Sequence, residues 1–374
     1  MTVRPISVAR PMTRILIVKP SSLGDILHAF PLATALKEAF PKARIDWVAN
    51  NEFVPLIARH PAIDRVLAFP RRDFGRGSFF GKMATLLSAL RELPYDAVLD
   101  AQGLLRSALL ARVARRSSGS APLLGFQRAR EGAPLFYGQR VPIPETPDAP
   151  LHAVWRNLLF LEALGLPTTL PSRVPALGLR YGDTDQSRVT DLLLEAGLLP
   201  GEPFIAIHPG ARRDSKRWPS AYFSELIRNL SREGAPRAVL VGDRSEAPLL
   251  EEIAVRTGLS VPLLPGRLPL DLLPLALSRA ILFIGNDSGP LHMAALAGIP
   301  TLSFFGSSDP RRTGPFGETT RNHVMREALP CSPCGDFRKF CAHMTCQVSL
   351  TPGEAFRQAL RLLGETKTTG APPL

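Results

Sequence analysis

Residues 15–31 read Ile-Leu-Ile-Val-Lys-Pro-Ser-Ser-Leu-Gly-Asp-Ile-Leu-His-Ala-Phe-Pro. Ile15–Val18 is an uninterrupted apolar run, the pattern of a strand buried on both faces. A loop, Lys19–Gly24, follows, and a helical pattern begins at Asp25. Asp25 therefore stands where a strand hands over to a helix, the edge at which open α/β sheets bind ligands. A carboxylate there is a candidate general base. It is also a favoured helix cap, and position alone favours the cap.

The alternation continues outward. Strand patterns fall at Arg14–Val18, Arg44–Val48, Arg65–Phe69, Ala97–Asp100 and Pro122–Phe126, and helical patterns at Asp25–Phe40, Phe53–Arg59, Phe79–Glu92, Leu104–Arg115 and His152–Gly165. Such alternation predicts βαβ units and a parallel sheet. The segment Leu166–Tyr181 is proline-rich and aperiodic, and reads as a linker. Beyond it the scheme repeats. Strands are expected at Phe204–His208, Ala238–Val241, Leu259–Leu263, Ile281–Ile284 and Thr301–Phe305, and helices at Ser220–Glu233, Glu246–Thr257, Leu270–Ser278, Pro290–Ala297 and Pro352–Leu363. The expected architecture is α/β, with two Rossmann-like domains facing a central cleft. The expected boundaries are a tail over 1–13, a first domain over 14–180, a second over 181–352, and a closing helix and tail over 353–374.

With 374 residues the chain exceeds a usual single core, and its 45% hydrophobic and 21% charged residues suit a globular protein. The longest apolar stretch, Leu268 to Gly285, is broken by Asp271, Pro274 and Arg279, so no run reaches the ~20 residues that cross a bilayer. Met1–Arg14 is basic and lacks the apolar core of a secretory signal, and Met12 is an alternative start. The net charge of +12 favours an anionic partner, a phosphorylated acceptor or a lipid headgroup surface. No helix-turn-helix and no aromatic-basic RNA-binding pattern accompanies it, so nucleic acid is not the expected partner.

Neither a G-x-x-x-x-G-K-[ST] loop nor a G-x-G-x-x-G after the first strand is present. The second half instead carries Gly285-Asn-Asp-Ser-Gly-Pro-Leu-His292, a strand end turning into a helix. Backbone N–H groups at Ser288 and Gly289 and the helix dipole make an anion site, with His292 one turn on. A second strand-end loop, His208-Pro-Gly-Ala-Arg-Arg-Asp-Ser-Lys-Arg-Trp-Pro219, offers Gly210 for close backbone approach and Lys216 for a diphosphate. A third, Val241-Gly-Asp-Arg-Ser-Glu246, offers a carboxylate for ribose hydroxyls. Three such loops on one edge predict a nucleotide-diphosphate site. In the first half, Asp100-Ala-Gln-Gly-Leu-Leu-Arg106 ends a strand. Asp100 rivals Asp25 as the base, and Gln102 and Arg106 are candidates to hold an anionic acceptor. All four cysteines, Cys331, Cys334, Cys341 and Cys346, lie within sixteen residues. Their spacing reads as a tetrathiolate for a structural zinc or iron ion, with His343 a substitute ligand and disulfides or free thiols the alternatives.

These segments together resemble glycosyltransferase family 9, the ADP-heptose:lipopolysaccharide heptosyltransferases. The resemblance is carried by Lys19-Pro-Ser-Ser-Leu-Gly-Asp25, Arg44-Ile-Asp-Trp-Val48, Tyr95-Asp-Ala-Val-Leu-Asp-Ala-Gln-Gly-Leu104 and Gly285–His292, and it covers roughly residues 14–363. The first-half segments are most like the heptosyltransferase I branch. The resemblance implies a GT-B fold and an inverting transfer without a catalytic metal. It implies Asp25 as general base and Asp287, Ser288, Gly289 and His292 as holders of ADP-heptose. Lys216 is implied for the diphosphate and Glu246 for the ribose. Ser22 and Gly24 of the base loop are expected to meet the acceptor beside Gln102 and Arg106. The implied partners are ADP-heptose, Kdo-lipid A and the anionic inner membrane. The implied location is cytoplasmic, peripheral on the inner face of that membrane. The loop after His208 departs from heptosyltransferase I, reading Pro-Gly-Ala where hydroxyl residues are typical. The cysteine cluster is more typical of other family members, including relatives that bind iron. A family relative with another acceptor and a non-catalytic sugar-nucleotide binder are the alternatives.

Overall fold

Strand β1, Arg14–Val18, is apolar on both faces because a neighbour lies on either side of it and helices cover both surfaces. In this computed structural model, which describes residues 12–116, 119, 121–167, 178–317, 321–334, 341 and 343–369, the chain divides into two units. The first ends at Arg180 and the second begins at Tyr181. The first unit adds β2 (Arg44–Asn50), β3 (Arg65–Phe69), β4 (Ala97–Asp100), β5 (Leu123–Phe126) and β6 (Gln139–Val141). All six pair in parallel in the order β3-β2-β1-β4-β5-β6. The order reverses between β1 and β4, where Val18 pairs with Asp100. The loops leaving these two strands therefore meet at the switch point.

The second unit repeats the plan with β7 (Phe204–His208), β8 (Arg237–Gly242), β9 (Leu263–Pro265), β10 (Leu282–Asn286), β11 (Thr301–Phe305) and β12 (Asn322–Arg326). The order is β12-β11-β10-β7-β8-β9, again parallel. Its switch point lies between β10 and β7. Trp218 anchors the core there: its ring stacks on Phe304 with centroids 4.0 Å apart, and its Nε1 donates to the Leu350 carbonyl at 2.7 Å. The final helix, Pro352–Thr369, packs on helix Ser220–Arg232 and on β11. Among the described residues no helix is long and apolar enough to cross a membrane.

The departures from the sequence expectation are local. The helix expected over Asp25–Phe40 is two, Leu23–Leu27 and Phe30–Ala39. Pro31 opens the second, and its missing N–H and ring end the first before it. The strand expected at Leu259–Leu263 begins only at Leu263, since Val261-Pro262 precedes it and Pro262 supplies a carbonyl to Leu240 N–H at 2.9 Å. Strands β6 and β12 and the helix Asp183–Glu195 carried no sequence signal strong enough to place them. Most of the expected linker, residues 168–177, lies outside the described residues. So do residues 1–11 of the expected tail. Met12 is buried, and Thr13 donates its N–H and hydroxyl to Asp96 at 2.6 and 2.8 Å.

Candidate active site

The base loop is built on the end of β1. Ser22, not Asp25, caps the short helix Leu23–Leu27, and Asp25 lies in its first turn. The Asp25 carboxylate reaches back to accept from the Ser22 N–H at 3.1 Å and the Ser22 hydroxyl at 2.7 Å. This is the reciprocal arrangement of a capping box. Both bonds fall on Oδ2 of the carboxylate. Burial pushes the Asp25 carboxyl up, but the buried Lys19 cation, both Ser22 bonds and His28 outweigh it and hold the pKa at about 2. The group is a carboxylate throughout the physiological range.

Lys19 is 3% exposed and donates from Nζ to the Ala101 carbonyl at 2.9 Å, just past the end of β4. Burial lowers its pKa. A second strap joins the same two loops, since Gln102 Oε1 accepts from the Ser21 N–H at 3.1 Å. Gln102 thus supports the base loop. Asp100 does not compete as the base. It is wholly buried and accepts from the N–H groups of Gln102 and Gly103 at 3.0 and 3.1 Å, from Ser107 Oγ at 3.0 Å and from Tyr137 OH at 2.7 Å. Its burial raises its pKa. Its role is to shape the turn that carries Gln102. Ser22 and Gly24 flank Asp25, while Arg106 stands exposed on the first turn of helix Leu105–Arg116.

In the second unit three loops gather at the ends of β7, β8 and β10. Lys216 Nζ lies 2.6 Å from Asp287 Oδ2, and His292 Nε2 lies 3.5 Å from Asp287 Oδ1. Ser308 Oγ also donates to Asp287. Burial raises the Asp287 pKa, but His292 and Lys216 pull it well below the carboxylate range. Asp287 is the buried anion that gathers the Lys216 and His292 side chains. Those side chains flank the start of helix Gly289–Leu296, capped by Ser288, whose first-turn N–H groups lack intrahelical partners. Asn286 fastens the adjoining loop, accepting from Trp218 N–H at 3.0 Å and donating to Pro209 O at 2.7 Å.

His208, at the end of β7, links two expected donor residues. Its Nε2 lies 3.3 Å from Glu246 Oε2 and its Nδ1 lies 3.2 Å from Ser288 Oγ. With a proton on Nε2 the ring donates to the Glu246 carboxylate. Glu246 also accepts from the Asp243 N–H at 2.9 Å. Burial raises the Glu246 pKa, and the His208 bond and charge with that N–H outweigh it and lower it. Gly210 is needed for a reason other than ligand approach: a Cβ at this position would occupy the space of the Glu246 carboxylate.

The expected tetrathiolate is not assembled. Cys331, Cys334, Cys341 and Cys346 are free, and among the described residues no group of three or more His, Cys, Asp or Glu side chains is placed to hold a metal. Cys341 Sγ lies 3.6 Å from His343 Nε2. Burial raises the Cys346 pKa, and the other three thiols raise it further. Residues 335–340 and 342, which separate the cysteines, lie outside the described residues.

Two parallel six-stranded Rossmann-like sheets, each with its ligand-type loops at a switch point, define the GT-B class of glycosyltransferase fold. The sequence profile of Glycosyltransferase family 9 (heptosyltransferase) matches residues 83–344. Lipopolysaccharide heptosyltransferase 1 of Pseudomonas aeruginosa is 33% identical over 338 residues, 88% of this chain and 88% of that protein. Its namesake in Escherichia coli is 32% identical over 314 residues, 82% and 91% of the two chains. The solved structure of Escherichia coli heptosyltransferase WaaC with ADP superposes with a TM-score of 0.71 at 27% identity, covering 95% of this chain and 100% of that one. The chain belongs to glycosyltransferase family 9 and is a glycosyltransferase, in line with the resemblance carried by its motifs. Family membership does not favour the non-catalytic alternative.

Proposed function

We propose that this enzyme transfers heptose from ADP-heptose to the Kdo region of lipid A in lipopolysaccharide inner-core assembly, acting peripherally on the cytoplasmic face of the inner membrane. The observation that carries the chemistry is Asp25, an ionised carboxylate fixed by two Ser22 bonds at the switch point of the first sheet. In the proposed step the acceptor hydroxyl oxygen attacks the anomeric carbon and its proton passes to Asp25. The bond from that carbon to the diphosphate oxygen breaks, with inversion, and ADP departs with the electron pair. Lys216, His292 and the N–H groups at the helix start beyond Ser288 and Gly289 stabilise the charge that develops on the diphosphate. Glu246 accepts from the ribose hydroxyls, and His208 keeps it oriented. No catalytic metal is required by this scheme, because Lys216, His292 and the helix-start N–H groups meet the leaving group.

The test is transfer from ADP-heptose measured against Kdo-lipid A and, separately, against its already heptosylated product. The proposal expects transfer to the first and at most slow transfer to the second. Preference for the heptosylated acceptor would assign the enzyme to a later step. A structural zinc or iron ion at Cys331, Cys334, Cys341 and Cys346 is a separate proposal, carried by the gathering of all four cysteines of the chain within sixteen residues, a donor set suited to a soft cation. Elemental analysis of protein purified without chelators should find about one equivalent of metal. Four freely titrating thiols and no metal would discard it.

A further inference from the structure

The first unit carries an aromatic and basic segment that neither the donor site nor the base loop uses. Between β3 and β4 the chain makes a short turn, Arg71–Asp73, and then enters helix Ser78–Glu92. Phe74 and Phe80 stand 79% exposed, each edge-on to Phe79 at ring distances of 5.3 and 5.6 Å. Rings so exposed are costly in water unless something covers them. Arg72, Arg76 and Lys82 are exposed around them, and Arg71 is half-buried. The segment's one acid, Asp73, is buried and already accepts from Lys82 Nζ at 2.7 Å and from Ser78 Oγ at 3.2 Å. These bonds hold the turn against the helix start, so the rings and cations are presented on a built surface.

The placement of this surface follows from topology. The segment leaves the C-terminal end of β3, the same edge from which Lys19–Asp25 leaves β1. Helix Leu105–Arg116 leaves that edge from β4 and packs beside helix Ser78–Glu92. It adds Leu105 and Leu109, 39% and 46% exposed.

We infer that this edge of the first unit docks on an anionic lipid bilayer, with Phe74 and Phe80 inserted among the headgroups and Arg71 and Arg76 paired with lipid phosphates. The make-up of the patch favours a bilayer over a protein partner. Aromatic rings ringed by cations match the apolar boundary and negative charge of a bilayer surface. The inference deepens the proposed function, on which it rests for a lipid-linked acceptor, and it places the membrane at the same sheet edge as Asp25.

The experiment is co-sedimentation with vesicles of phosphatidylcholine alone and of phosphatidylcholine with phosphatidylglycerol, for the wild-type chain, Phe74→Ser/Phe80→Ser and Arg76→Glu. The wild type should bind only the anionic vesicles and release them as salt rises. The double variant should bind about a hundredfold more weakly, about tenfold for each ring withdrawn. Arg76→Glu should lose at least about fivefold, the worth of one cation near an anionic surface. Thermal stability, and transfer to an acceptor stripped of its acyl chains, should match wild type in the double variant. Equal vesicle binding by wild type and double variant overturns the inference, as does binding indifferent to phosphatidylglycerol. So does a self-association that the phenylalanine substitutions abolish without any vesicle binding, which would assign the face to a second copy of the chain. If vesicle binding depends on the patch but no heptose moves, the docking surface stands and the heptose reading fails. If heptose moves without vesicle binding, the docking surface alone fails.

Discussion

Lys19→Met removes the buried cation beside Asp25 and keeps a flexible side chain of similar length. The wild-type Asp25 carboxyl stands at about 2 against an ordinary 3.8, a preference for the ionised form of about 2.5 kcal/mol. Burial works against that preference, and Lys19 is the largest of the groups that overcome it. Without Lys19 the carboxyl is expected at or above its ordinary value, since desolvation is then opposed only by Ser22 and His28. Two consequences follow. The acid limb of kcat/KM, which in the wild type lies below the range in which the enzyme works, should rise to about pH 4 or higher. Stability changes in the same sense. A carboxyl with a depressed folded-state pKa adds stability above its unfolded pKa of about 3.9, and that contribution is lost as pH falls toward the folded value of about 2. The variant lacks this contribution, so its acid unfolding should begin at higher pH. Near neutral pH its stability should change less, because a desolvated ammonium is removed along with its attraction. The assay is a kcat/KM profile from about pH 4 to 8, paired with acid unfolding followed by circular dichroism. An acid limb unmoved in the variant would refute the electrostatic account of the base loop.

Other outcomes follow from single contacts. Asp100→Ala leaves two N–H groups and the Tyr137 hydroxyl without their acceptor in the interior, and should cost about 2–4 kcal/mol in denaturant unfolding. A loss under about 0.5 kcal/mol would contradict its assigned role in shaping the turn. Gly210→Ala drives a methyl group into the Glu246 carboxylate. It should weaken ADP binding by about tenfold in calorimetry while thermal stability changes little. Unchanged ADP affinity would show that Glu246 does not face the nucleotide.

The strands of both sheets were legible where they are buried on both faces, because continuous apolar runs such as Arg14–Val18 and Thr301–Phe305 have no other use in so short a length. The edge strands β6 and β12 were not. Gln139-Arg-Val and Asn322-His-Val-Met-Arg carry polar residues because one side of each is unpaired, and polarity erases the signal. The break at His28–Ala29 could have been read from Pro31. Asp25, Lys216, Asp287 and His292 announced themselves by residue type in strand-end loops. What each carboxylate does was less accessible. Asp100 and Asp25 are equivalent in the sequence, both at strand ends beside a loop. They separate only when Tyr137, from a distant turn, satisfies one, and Lys19 with Ser22 ionises the other. Gly210 and His208 depend on Glu246, more than thirty residues away, so local pattern could not disclose their roles.

Heptose transfer by Asp25→Asn tests the assignment of the base most directly. The variant keeps the shape of the base loop and loses the proton acceptor. With ADP-heptose and Kdo-lipid A, its kcat should fall by about a hundredfold to ten-thousandfold while ADP binding stays at the wild-type level. Turnover within a few-fold of wild type, in a protein that melts at the same temperature, would contradict the assignment of Asp25 as the base.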